Sequence, residues 1–214
     1  MIVDDGVRTA YGARAAEYIA AVGRIEHAAP IDREEVLAWA AGLDGPVLDV
    51  GCGPGQWTEL LRTAGIDVSG VDPVPEFVAA AKRAYPDASF RAGRAERLDH
   101  ASGTLGGVLA WFSLIHTTPD ALQAPLAEFA RAVAPGGGLA LGFFAGDDGQ
   151  PFDHAITTAY TWSEAGLSER VIRAGFRVVS VRSRTDTGAR PVGTLLAVRD
   201  RIGGPATRPG IVPR

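Results

Sequence analysis

The chain has 214 residues, 46% of them hydrophobic, a formal net charge of −4 and a single cysteine. That is enough apolar material for one globular core. The mildly acidic balance argues against a general polyanion binder, and one cysteine rules out an intramolecular disulfide and gives no reason to expect a metal site.

The first ten residues, "MIVDDGVRTA", lack the basic start and apolar centre of a signal peptide. The longest apolar run, "VLAWFSLI" at residues 108–115 with one serine in it, is too short to cross a bilayer. A cytoplasmic protein without a membrane partner is expected. Residues 8–29 are alanine-rich, with aromatic and aliphatic residues at helical spacing. The stretch "IDREEVLAWAAGL" predicts a helix capped by Asp32 and stopped at Gly42. "PVLDV" predicts a short buried strand, and "QWTELLRTAG" a helix ending at Gly65. "IDVSGVD" reads as a second strand, and a helix opening at Pro75 follows it. "ASFRAG" is a third strand and "LGGVLAWFSLI" a fourth, apolar as a central parallel strand should be. The next helix is expected to start at Thr118 and Pro119 and to be kinked by Pro125. A fifth strand follows in "PGGGLALGFFAG", then a helix from Ser163 to Gly175 and two final strands. Residues 202–214, rich in Gly, Pro and Arg, are expected to be a loose tail. Strands alternating with helices mean an α/β sheet, mostly parallel.

In such sheets ligands sit beyond the carboxyl ends of the strands. The loop after the first strand, "VLDVGCGPGQW", carries glycines at 51, 53 and 55. A dinucleotide site would want G-x-G-x-x-G there, but Gln56 stands where the third glycine belongs. No G-K-[ST] follows, so a P-loop is excluded. Asp49 precedes the loop and would repel a pyrophosphate while suiting a cationic amine. Asp72, 21 positions after Gly51, can accept the hydroxyls of a ribose. A ribose, a positive charge and no phosphate describe S-adenosylmethionine.

"VLDVGCGPG" followed by "VSGVD" resembles motifs I and II of class I S-adenosylmethionine-dependent methyltransferases, over about Pro46 to Gly146. "AWFSLIH" and "AYTWSEAGLSERVIRAGF" are similar to stretches of one group of small stand-alone methyltransferases. The resemblance implies a Rossmann-like seven-stranded sheet, mostly parallel, with the last strand antiparallel and helices on both faces. It implies a helical cap over residues 1–45, a cofactor-binding core over 46–146, and a substrate cover with the final strands over 147–201. It places Asp49, Gly51, Cys52, Gly53, Gly55 and Trp57 around the methionine end of the cofactor. Asp72 and Pro73 fall at the ribose, Ala95 and Glu96 beside adenine, and Trp111 and Phe112 beside the sulfonium. Arg94 stands where many relatives carry an acid for the adenine amino group. Tyr11, seven residues before Tyr18, is placed to close over the site.

Cys52 otherwise reads as a small packing residue. His116, at the mouth of the pocket, is the first candidate for a general base and His154 the second. Each has an ordinary alternative in capping or backbone bonding. Tyr160, Trp162 and Trp111 fit an aromatic wall or plain core, and Arg14 and Arg190 an anionic ligand or a solvated surface. The expected reaction moves a methyl group from S-adenosylmethionine to an O, N or C nucleophile of a small molecule. No nucleic acid is expected, since the [DNS]-P-P-[YFW] turn of DNA amino-methylating enzymes is replaced by "WFSLIH". A monomer or homodimer suffices. The rival readings are a protein that binds the cofactor without spending its methyl group, and a nicotinamide-dependent oxidoreductase.

Overall fold

The computed structural model of the chain describes residues 5–200; the tail expected over 202–214 lies outside them. The alanine-rich start is not one helix but two, α1 (Asp5–Ala13) and α2 (Ala15–Val22), separated at Arg14 and followed by a short 3₁₀ turn at Ile25–His27. Helix α3 (Pro30–Ala41) begins three residues earlier than expected, with Ala29 at the capping position. Pro30 sits in its first turn, where the missing N–H costs nothing. Asp32 therefore lies inside the helix rather than capping it, and Gly42 does close the other end.

Strands β1 (Val47–Val50), β2 (Val68–Asp72), β3 (Ser89–Ala92), β4 (Leu105–Trp111) and β5 (Val133–Ala145) alternate with α4 (Gln56–Thr63), α5 (Pro75–Ala84) and α6 (Gln123–Ala132). Helix α6 starts five residues after Thr118, so Pro125 falls in its first turn and causes no kink. Two short strands follow, β6 (Pro151–Phe152) and β7 (Ala159–Trp162), then α7 (Glu164–Arg173), β8 (Phe176–Arg184) and β9 (Val192–Arg199).

The main sheet runs β3-β2-β1-β4-β5-β9-β8. Its first five strands are parallel, and β9 lies antiparallel to both β5 and β8. The expected seven strands are thus joined by two more. β7 pairs with the last residues of β5, and β6 pairs with β7 as a small antiparallel ribbon. The extra pair arises in the segment read as a substrate cover.

Every residue of β1 is buried, as a strand with helices on both faces requires. One core layer packs Leu48, Val108, Leu126, Phe129 and Leu195 beneath α6 and α7. The other packs Val36, Trp57, Leu61 and Leu109 beneath α3 and α4. Strand order reverses between β1 and β4, and the carboxyl ends of these two strands frame the ligand crevice.

Candidate functional site

Loop 51–55 turns sharply from β1 into α4. Gly51 has φ +73°, and a Cβ there would stand 2.2 Å from the Ser113 Cβ. Gly53 has φ +54° with no atom within 4 Å of a Cβ placed on it, so its bare backbone faces open space. These two positions need glycine for conformation, and Gly51 needs it for close approach as well. Gly55, in left-handed conformation at the start of α4, meets Phe90 and Ala81 instead. It seats the helix on the sheet and does not line the cavity.

Two carboxylates flank the loop. Asp49 is 1% exposed, and its Oδ2 accepts a 2.7 Å hydrogen bond from the buried Thr58 hydroxyl on α4. Burial pushes its carboxyl up to about 7, against the downward pull of Thr58. Asp72 is 5% exposed. Its Oδ2 accepts from Gly53 N–H and its Oδ1 from Val74 N–H, both at 2.8 Å. Burial raises it to about 6 despite these two donors. Two fully buried acids with unsettled protonation, fixed at the edge of a crevice, suit a cationic ligand that restores their charge.

A cavity of about 100 Å³ lies over Asp72, Pro73 and Val74, closed by Tyr11 and Tyr18 from the lid helices and reaching Arg94 and His116. The buried Ser113 hydroxyl on its wall has no hydrogen-bond partner. A larger cavity of about 400 Å³ shares Gly51, Gly53, Trp111 and Phe112 with it and continues past Asp49 to Phe144, His154 and Arg190. The bare glycine cradle, the orphaned hydroxyl and the two acids fit an adenosylated cation without phosphate. Arg94 lines the smaller cavity, while Glu96 lies 3.8 Å from it as an ion pair and Ala95 packs toward the core. Neither Ala95 nor Glu96 lines the cavities. Cys52 lines the larger one, with its thiol buried and raised by that burial.

The aromatic wall follows from one strained residue. Phe112 has φ +54°, the positive-φ non-glycine position among the described residues. For a bulky side chain that costs about 1–2 kcal/mol. Its N–H donates to Gly142 O, and its ring contacts Phe144 at 5.3 Å and Trp111 at 5.8 Å. Trp111 in turn stacks at 5.1 Å on Trp57, which is buried on α4.

His116 has both ring nitrogens occupied. Nδ1 lies 2.8 Å from Thr158 O, so it carries the proton. Nε2 lies 2.8 Å from the Tyr11 hydroxyl and accepts from it. Burial holds this imidazole neutral, down to about 4. His154 Nδ1 accepts from Ile156 N–H at 3.4 Å, which places its proton on Nε2. Its pKa is also lowered, by burial and by Arg190. The two imidazoles face each other at 5.1 Å. The sequence placed both histidines near the pocket but had no signal for Tyr11 as the partner of His116. Arg14, one residue past α1, bonds Ala155 O, so the N-terminal helices meet the 154–158 segment once directly and once through His116. Tyr160 and Trp162 lie on β7, with Trp162 buried under the Arg170 guanidinium.

Residues 47–137 match the family model described as a methyltransferase domain. The demethylmenaquinone methyltransferase of Beutenbergia cavernae is 36% identical over 107 residues, covering 50% of this chain and 44% of that protein. The chain spans about half the length of the curated relatives it matches. Among solved structures, the 1,6-didemethyltoxoflavin-N1-methyltransferase of Burkholderia thailandensis, with 1,6-didemethyltoxoflavin and S-adenosylhomocysteine bound, superposes with a TM-score of 0.73 at 22% identity, over 92% of this chain and 88% of that one. A putative methyltransferase of Haloferax volcanii, solved with the Trm112 methyltransferase activator, gives 0.74 at 22% identity over 92% and 99%. At that identity the two structures establish a shared fold.

Proposed function

We propose that the chain, whose residues 47–137 match a methyltransferase domain, is a class I S-adenosylmethionine-dependent methyltransferase that transfers the methyl group of S-adenosylmethionine to a small-molecule acceptor. The observation that carries the proposal is Asp72. Its carboxylate is pinned by Gly53 N–H and Val74 N–H on the wall of a cavity that opens beside the larger one, with a second buried acid, Asp49, across the glycine loop. Asp72 would hold the ribose hydroxyls and Asp49 the cationic amino end. Arg94 would face the base, and the Ser113 hydroxyl, beside Gly51, the methionine end.

The bound cofactor supplies an activated methyl on a sulfonium, so the protein's work is alignment. Phe112, Trp111 and Phe144 shape the larger cavity where the acceptor enters. They exclude water and hold the nucleophile in line with the methyl. His116 is proposed to act on Tyr11 rather than on the acceptor, because its only lone pair is taken by the Tyr11 hydroxyl. A proton leaving an acceptor at Tyr11 would pass through that hydroxyl to Nε2. His154, in the wall of the larger cavity, is proposed to orient the acceptor through its Nε2–H.

Calorimetric titration with S-adenosylmethionine, S-adenosylhomocysteine and NAD tests the cofactor. Binding of the first two and not the third is expected, and NAD binding alone would overturn the reading. Formation of labelled product from methyl-labelled cofactor separates a methyltransferase from a protein that merely holds it.

A further inference from the structure

The larger cavity is lined by rings and bordered by Arg24 at one part of its wall and by Arg190, beside the phenylalanines, at another. Phe144 is its centre: Phe112 lies at 5.3 Å, Phe152 at 5.1 Å and His154 at 5.9 Å, in tilted or edge-on contact. Phe112, Phe144 and His154 line the cavity, and an aromatic wall suits a flat apolar guest. At the rim, in the connection between β8 and β9, the Arg190 guanidinium sits 3.8 Å over the Phe152 ring. Stacking fixes its plane while leaving its N–H groups at the edge. Among the described residues Arg190 has no ion-pair or hydrogen-bond partner. Two acids that line the same cavity, Asp32 and Asp186, both pair with Arg184 instead. His154 is held neutral beside it.

We propose that the acceptor is a planar aromatic molecule carrying an anionic group, with its rings against Phe112 and Phe144 and its carboxylate, or an equivalent planar oxyanion, on the Arg190 guanidinium. The proposal rests on the methyl-transfer reading of the site and narrows its acceptor. A carboxylate on a guanidinium makes two parallel charged hydrogen bonds, which its neutral amide cannot reproduce.

The test uses the full chain saturated with S-adenosylhomocysteine and three ligands titrated calorimetrically: 2-naphthoate, 2-naphthamide and octanoate. Binding of 2-naphthoate about 10-fold tighter than either of the others is expected. In Arg190→Gln that preference falls to about 2-fold or less while the affinity for S-adenosylhomocysteine stays unchanged. Equal binding of naphthoate and naphthamide, or a preference that survives Arg190→Gln, overturns the anionic group. Octanoate binding as tightly as naphthoate overturns the planar body. A loss of S-adenosylhomocysteine affinity in Arg190→Gln reassigns the guanidinium to the cofactor and also overturns the proposal. Failure of the unaltered chain to bind S-adenosylhomocysteine would instead bring down the cofactor reading beneath it.

Discussion

The Tyr11 hydroxyl donates to His116 Nε2 at 2.8 Å, across 105 positions of sequence. Because His116 Nδ1 is tied to Thr158 O, this bond links the lid helix α1, the loop after β4 and the segment before β7 in one chain of contacts. Tyr11→Phe and His116→Ala should each weaken S-adenosylhomocysteine binding several-fold. In a double-mutant cycle their effects should overlap by about 1 kcal/mol. Strictly additive losses would show that the two residues act separately.

Asp72→Asn keeps the shape of the site and removes its charge. Cofactor affinity should fall at least about 10-fold, the worth of a hydrogen bond to a charged group. Stability should also fall by about 1–2 kcal/mol, since Asn Oδ1 can accept only one of the two backbone N–H groups and the amide nitrogen cannot accept the other. Unchanged binding would remove Asp72 from the site.

Protonation of the two acids gives a pH dependence with a definite sign. Asp49 and Asp72 are raised to about 7 and about 6, so near neutral pH the ligand-free protein carries part of their protons. A cationic ligand favours the ionised forms. Affinity for S-adenosylmethionine should therefore rise with pH through this range, with proton release visible in buffers of different ionisation enthalpy. The free protein runs the other way. The folded state holds protons that the unfolded chain has lost above about 4, so the acids' contribution to stability is lost as pH rises through about 6 to 7. His116, lowered to about 4, opposes them: its contribution is present above about 6.5 and lost as pH falls toward 4. Asp49→Asn should thus stabilise the free protein at pH 8 by about 2 kcal/mol and weaken the ligand's hold.

Gly51→Ala and Gly53→Ala separate packing from conformation. The first brings a methyl group against Ser113 in a left-handed residue and should cost about 3 kcal/mol in urea unfolding. The second meets no atom, should cost about 1 kcal/mol, and should act mainly by filling the cofactor space.

Arg184 on β8 grips Asp32 on α3 through two bonds of 2.5 and 2.8 Å, and so binds the last hairpin to the third helix. Arg184→Met leaves Asp32, 6% exposed, without its partner and should cost about 3 kcal/mol. Adding Asp32→Asn should recover part of that loss.

What the sequence disclosed was local chemistry. The sharp turn at Gly51 and Gly53, with buried Asp49 and Asp72 beside it, was readable because a strand–turn–helix constrains residues a few positions apart. That the sheet is mostly parallel followed from the alternation of strands and helices, whereas its order in space, β3-β2-β1-β4-β5, did not. Asp32 misled because it has a capping side chain near a helix start, while Pro30 set the actual start and Arg184, 152 positions away, took the carboxylate. β6 and β7, two and four residues long, are too short to leave a periodic pattern. Gly55 looked like a third cradle glycine, and only the place of Phe90 behind it shows that it serves the sheet.

Trp57 and Trp111 touch each other at 5.1 Å and both border the larger cavity, whereas Trp162 is buried in the opposite core layer. The molecule thus carries its own optical gauge. A guest settling on that indole pair should change its ultraviolet emission, so occupancy can be followed in unlabelled protein. Replacing Trp111 with Phe should silence most of the signal.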